Sequence, residues 1–413
     1  MMCSRVFSIA SLLGLSILRA VFAGALCSAT TSIVDAQQPG SPAALGVPER
    51  SMIVLDQWVS DAVRSNTTDD LSEQVDWETL SERISKGIDG DPKHISRFLT
   101  QSRGILTRWV EERHDNSREG SFHFMRVRMK KGEPQAVYRL VTPSGGANYA
   151  GLVLTTTASG SLRIIDFDDV ASGEYFTQLS RRTLMRLMQA TKEGVALEPT
   201  PAQTAFIQQT HELELLDRLV RDGKARGALL TYRTLQEPFK SDRRTQFLRF
   251  KAATQLEPGG AEQKEALDAL SSDSKDRESD SFLRMNYFAQ AGDFQSALTD
   301  AGTFARELGI DAWILGQMAL FHHKLGHTQQ ARQIIDQAVE LEPQLFEPHM
   351  TRMEIASAQS DFQAAVESLS RGDAIRPFHS LVRFETIPEA QGLIASAEYK
   401  QWKQERVSES RTK

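Results

Sequence analysis

The sequence predicts an α+β domain, helices first and then a four-stranded antiparallel meander, followed by an all-α solenoid of helical hairpins. Two observations carry this prediction. Gly292-Asp293-Phe294-Gln295-Ser296-Ala297 returns as Ser360-Asp361-Phe362-Gln363-Ala364-Ala365, 68 residues later, and Gly326-His327-Thr328-Gln329-Gln330-Ala331 sits midway, so three turns keep a 34-residue register. Repetition at such a period means stacked supersecondary units. Upstream, the hydrophobic period changes from helical to alternating near Phe122 and back to helical near Glu174, which brackets a sheet between helices.

Met1–Cys27 has the layout of an export signal. Arg5 is basic, Val6–Leu18 is an apolar run too short to span a bilayer comfortably, and small residues follow. Arg19 interrupts the apolar run, and Gly24-Ala25-Leu26-Cys27 carries a leucine too large for a lipoprotein cleavage box. Cleavage is expected after Ala36, which makes residues 1–36 the signal and 37–48 a Pro/Gly/Ala-rich lead-in. The chain is then exported: periplasmic, envelope-associated or secreted. Its only cysteines, Cys3 and Cys27, leave with the signal, which excludes disulfides and cysteine catalysis in the mature chain.

The α+β domain is expected over residues 49–193. Met52–Val63 is amphipathic through Ile53, Leu55, Trp58, Val59 and Val63. Asp76–Ile88 is a second short helix, and Asp91-Pro92 opens a third that runs to about Glu112. Phe122–Lys130 then alternates, with Met125, Val127 and Met129 on one side and Arg126 and Arg128 on the other. Gln135–Thr142, Tyr149–Thr156 and Leu162–Phe167 complete the meander, joined by Gly-containing turns. Glu174–Ala190 returns to helix. The order of elements weakly resembles the cystatin-like roll of nuclear-transport-factor-2-like domains. Pro199 and Pro201 mark residues 194–203 as a linker.

The helical-repeat domain is expected over 204–406, with a disordered tail at 407–413. In the central repeat, Ala312–Leu325 is the first helix, Gly326-His327 the turn and Gln329–Leu341 the second helix, stopped by Glu342-Pro343. Ala319, Ala331 and Ala338 fall where paired helices approach closely. Upstream, His211–Val220 with Ala225–Leu235 forms another hairpin, and 244–272 a degenerate one interrupted by Glu257-Pro258-Gly259-Gly260.

Through Ala319, Gly326, Ala331, Ala338, Pro343, Ala365 and Pro377, the chain resembles the tetratricopeptide repeat family. The match is good over 278–379 and fainter upstream, covering about 205–380. It departs from the family at the first-helix aromatic, which is His322 or Ala356 here, and at the leading tryptophan, shifted to Trp313. The resemblance implies a concave surface that holds a peptide or protein, lined by first-helix residues. Carried onto this chain, that lining is Phe282, Asn286, Gln290, Trp313, Leu320, His323, Lys324, Met350 and Glu354. It has no row of Lys and Arg, so the carboxylate-clamp subtype is not supported.

Other chemistry is sparse. Asp166, Asp168 and Asp169 form a carboxylate cluster that would suit a hard cation, or would cap the coming turn, and the calcium-loop pattern is absent. His123, Tyr138, Tyr149 and Asp166 would make a candidate pocket if they converged, the basis of an alternative reading as a small-ligand binder or enzyme with the repeats as accessory module. His211-Glu212-Leu213-Glu214-Leu215 lacks the second histidine of a zinc-protease helix, and Gly145-Gly146 lacks a phosphate-binding loop's lysine. His322, His323 and His327 are divided by Gly326, so no metal site is expected. No catalytic motif and no cofactor motif occurs. The net charge of −6 and the lack of a basic stripe argue against nucleic acid.

Overall fold

The computed structural model describes residues 47–118, 120–191, 201–272, 277–377 and 390–412. The expected signal, the lead-in as far as residue 46, and the linker as far as residue 200 lie outside the described residues. Five helices come first: α1 (Glu49–Ser65), α2 (Asp69–Glu73), α3 (Trp77–Ser85), α4 (Pro92–Ser102) and α5 (Gly104–Ser117). Asp76 and Asp91 start α3 and α4, their carboxylates accepting from Thr79 N and Lys93 N at 2.9 Å each. The single helix expected from Asp91 to Glu112 is in fact two. Short-range bonds from Arg103 N to Thr100 O and from Leu106 N to Arg103 O replace the regular ladder beside Gly104, a poor helix former away from a helix end.

The sheet is an antiparallel meander in the order β1-β2-β3-β4-β5, with β1 (Ser121–Lys130), β2 (Glu133–Val141), β3 (Ala147–Thr156), β4 (Leu162–Asp169) and β5 (Glu174–Tyr175). The expected four strands are present. The fifth is a two-residue addition on Asp168 and Asp169, too short to carry a period. Helix α6 (Phe176–Thr191) follows.

The sheet is buried on both faces. Tyr138, Ala150, Leu152 and Phe167 pack with Leu55, Val59, Leu80, Ile84, Leu106 and Trp109 from the preceding helices. The opposite face, through Val137, Val141 and Tyr149, packs with Phe250, Phe282, Phe304 and Trp313 from the repeats. This explains why β2 and β3 are apolar on both sides, unlike an antiparallel sheet with one wet face.

The repeats form five hairpins among the described residues: α7 (Pro201–Arg221) with α8 (Ala225–Thr234), α9 (Arg243–Leu256) with α10 (Ala261–Ser272), α11 (Arg277–Ala291) with α12 (Phe294–Leu308), α13 (Ala312–Lys324) with α14 (Thr328–Leu341), and α15 (Phe346–Ala358) with α16 (Phe362–Ile375). α17 (Gln391–Ala395) and α18 (Ala397–Thr412) end the chain, α18 running through most of the tail expected at 407–413. Leu393, Tyr399 and Trp402 from these two cover Ala365 and Leu369, closing the last hairpin's apolar side.

Each hairpin turn holds a residue in the left-handed region: Gly223, Gly259, Gly292, Gly326 and Ser360. Glycine enters that region without steric cost, so the register seen in the sequence is a register of backbone geometry. The small residues obey it too. Ala297, Ala331 and Ala365 are all fully buried, and Ala331 packs with Ala319, Ile335 and Ala338. Ala331→Leu should therefore cost about 1–3 kcal/mol by overpacking. Gln329→Leu, on an exposed position of the same helix, should change stability by at most about 0.5 kcal/mol. Thermal unfolding followed by circular dichroism compares them, and equal losses would contradict the packing.

Candidate functional site

The repeats do not present an open first-helix surface along its whole length. The sheet docks against the N-terminal half of α11 and α13. Tyr149 is the centre of this contact, edge-on to Phe282, Phe304 and Trp313 with ring centroids 6.0, 5.3 and 6.4 Å away. Its hydroxyl donates to Asp311 Oδ2 at 2.8 Å, and Trp313 Nε1 donates to Gly145 O at 3.0 Å. Asp311 also caps α13, accepting from Ile314 N at 2.8 Å.

Charged side chains are buried in the same contact. Arg139 is fully buried, with Nη2 2.7 Å from both Glu342 oxygens and Nη1 3.6 Å from Asp311 Oδ1. Burial opposes its charge, but Asp311, Tyr149 and Glu342 outweigh that and raise its pKa. Arg126 donates to Ile310 O and seats its guanidinium on Gly309, where a Cβ would lie 1.8 Å from Nη1. Gly309 is also at φ +103°, so glycine is needed there twice over. Arg128 and Lys130 reach Glu278 at 2.8 and 3.1 Å, and Lys130 and Gln135 hold Asp168 at 2.8 and 2.7 Å. A further set, Arg182 and Arg186 on Asp242 and Arg243 on Ser172 O, ties α6 and the end of the sheet to α9.

Against this geometry, the lining expected from the repeats divides. Phe282 and Trp313 lie under the sheet and are not surface. Met350 packs inside its own hairpin, seated on Gly372, where a Cβ would meet its Cε at 2.3 Å. Asn286, Gln290, Leu320, His323, Lys324 and Glu354, toward the C-terminal ends of the first helices, stay partly exposed. Asn286 Nδ2 donates to Phe282 O at 2.7 Å, and Gln290 Oε1 accepts from Gln263 Nε2 at 2.9 Å. Lys324 Nζ meets Glu354 Oε1 at 2.6 Å across adjacent hairpins. Burial, then the Lys324 charge, depresses the His323 pKa, with Glu354 opposing, so the imidazole favours its neutral form.

His123, Tyr138, Tyr149 and Asp166 do not converge on one pocket. In the register of β2 and β3, Tyr138 faces Ala150 and Arg139 faces Tyr149, so the two tyrosines leave opposite faces. Tyr138 stacks on Phe122 at 5.2 Å, its buried hydroxyl close to Asp56, and burial foremost raises the pKa of both. His123 is exposed on edge strand β1. Asp166 holds the start of α6 instead, accepting from Phe167 N at 2.9 Å, from Thr177 N at 3.1 Å and from the Thr177 hydroxyl.

Burial pushes the Asp166 carboxyl up to about 6, while Thr177, Phe167 and Arg83 pull the other way. The folded chain therefore binds this proton more tightly than the unfolded chain, whose value is 3.8. The resulting stability is full below that lower value and is lost as pH rises through about 6. Asp166→Asn cannot titrate. Its stability relative to the parent chain should rise by up to about 3 kcal/mol between pH 4 and pH 7. Urea unfolding across that range measures the difference, and parallel pH curves would refute it.

The turn at Gly326 brings His322 and His327 together rather than dividing them, with their Nδ1 atoms 3.2 Å apart. Sequence reasoning also passed over Arg139, Asp311, Glu342 and Gly309. Arg139 carried a signal, as a lone charge inside the apolar run Ala136–Val141. Its partner at Glu342 carried none. Comparisons of the chain with protein-family models, with curated proteins and with solved structures find no match.

Proposed function

We propose that this chain is a binding scaffold of tetratricopeptide-like repeats that holds a peptide or protein along the C-terminal halves of its first helices. The observation that carries this reading is the division of that surface. The sheet fills the half around Phe282 and Trp313, while Asn286, Gln290, Leu320, His323, Lys324 and Glu354 stay partly exposed on successive hairpins. Stacked repeats offer such a row to an extended partner. Its mixture of amide, apolar and paired charged groups suits a polypeptide better than a polyanion. We also take the chain to be exported, on the signal-like Met1–Cys27. Among the described residues, no helix is long and apolar enough to cross a membrane.

A photo-cross-linking residue placed at Leu320 and, separately, at exposed Gln329 tests the binding face in the native host. Discrete adducts at 320 that are absent at 329 are expected. Equal labelling at both positions, or none at 320, would remove the scaffold reading. N-terminal sequencing of the mature chain, expected to begin near Gln37, tests export independently.

A further inference from the structure

The 34-residue register lets each hairpin serve as a reference for its neighbours. At the first position of the α14 turn, the neighbouring hairpins carry Asp293 and Asp361. Both cap their second helix, accepting from Ser296 N at 3.1 Å and Ala364 N at 3.2 Å. The central hairpin has His327 there, and α14 has no side-chain cap. Five residues earlier, the neighbours carry Phe288 and Ala356, and the central hairpin has His322. The two departures fall in the same hairpin, and they touch. A repeat that gives up a helix cap to place one imidazole against another breaks a local rule in the manner of functional sites.

The two Nδ1 atoms are within hydrogen-bond distance, and their separation also matches a shared ion. Two imidazole nitrogens bound to one tetrahedral zinc ion stand about 3.3 Å apart, given bonds of roughly 2.0–2.1 Å. The two Nδ1 atoms stand 3.2 Å apart, with the rings inclined at 49°. His322 is almost fully buried and fixed on its helix, whereas His327 is exposed, so one ligand is rigid and the other opens to solvent. Among the described residues, no third His, Cys, Asp or Glu joins them.

We propose that His322 and His327 form a two-imidazole site for a divalent late transition-metal ion, zinc or copper, bound through both Nδ1 atoms with water in the remaining positions. Imidazole suits these ions, and a site of two protein ligands leaves positions open for exchange. The ion would bridge the end of α13 to the start of α14.

Titration of the purified full chain with zinc chloride, followed calorimetrically, tests the site. One ion per chain is expected. His327→Asn supplies a good capping side chain with no metal-binding carboxylate, and His322→Phe copies the neighbouring hairpin; each should weaken zinc binding at least tenfold. Without metal, His327→Asn should unfold at or above the parent temperature, which separates lost binding from lost folding. His323→Gln, one residue from the pair, should bind zinc as the parent does. Absence of binding to the parent, or equal affinity in His327→Asn, overturns the proposal.

Discussion

Arg139→Met should destabilise the chain by about 3–5 kcal/mol, the cost typical of breaking a buried ion pair from one side. Arg139 is fully buried, and the carboxylates that surround it, Asp311 and Glu342, come from the repeats. Methionine fills much of the same volume but leaves both acids without their cation. Asp311 keeps the Tyr149 hydroxyl and the Ile314 amide, so Glu342 is the group left worse placed. The loss should show in urea unfolding at pH 7 and should shrink under acid, where a carboxylate without its cation can take up a proton. A loss below about 1 kcal/mol would mean that the buried pair contributes no more than a surface one.

Trp313→Ala should cost a similar amount, about 3–5 kcal/mol, through the cavity left by a buried indole. The ring is 3% exposed and lies against Tyr149 and Phe282. The hydrogen bond to Gly145 O goes with it. The damage should also have a location. Amide exchange in β2 and β3 should quicken in Trp313→Ala more than in Ala331→Leu, because only the former opens the contact between sheet and repeats. Equal protection of those strands in both variants would show that the sheet does not depend on that contact.

The repeats were legible because their information is local and recurs. Glycine or serine at the turn and alanine on the helix that follows reappear at fixed spacing, with aspartate after the turn in two of the three hairpins, and each has one physical cause. The strands were legible for the same reason, since alternation and turn residues are short-range signals. What could not be read is where those elements meet. The buried bond from Arg139 to Glu342 joins residues 203 apart in sequence. Nothing near Arg139 selects that glutamate over another. The lining taken from the resemblance included Phe282 and Trp313 for the same reason, because no local pattern distinguishes an aromatic awaiting a partner from one covered by its own chain. Residues on β2 and β3 held the clue, apolar toward both sides, but it told only that something covers the second face.

That second face imposes a timetable on synthesis. The strands leave the ribosome with one side already matched to the helices made before them. The cover for the other side, through Phe282 and Trp313 to Glu342, is made later. At elongation rates of roughly 5–20 residues per second, the wait lasts on the order of ten seconds or more. During it, Val137, Val141 and Tyr149 face water or whatever chaperone is at hand, with the Arg139 charge among them. Arg139, in the middle of that strand, keeps the waiting surface from being uniformly apolar.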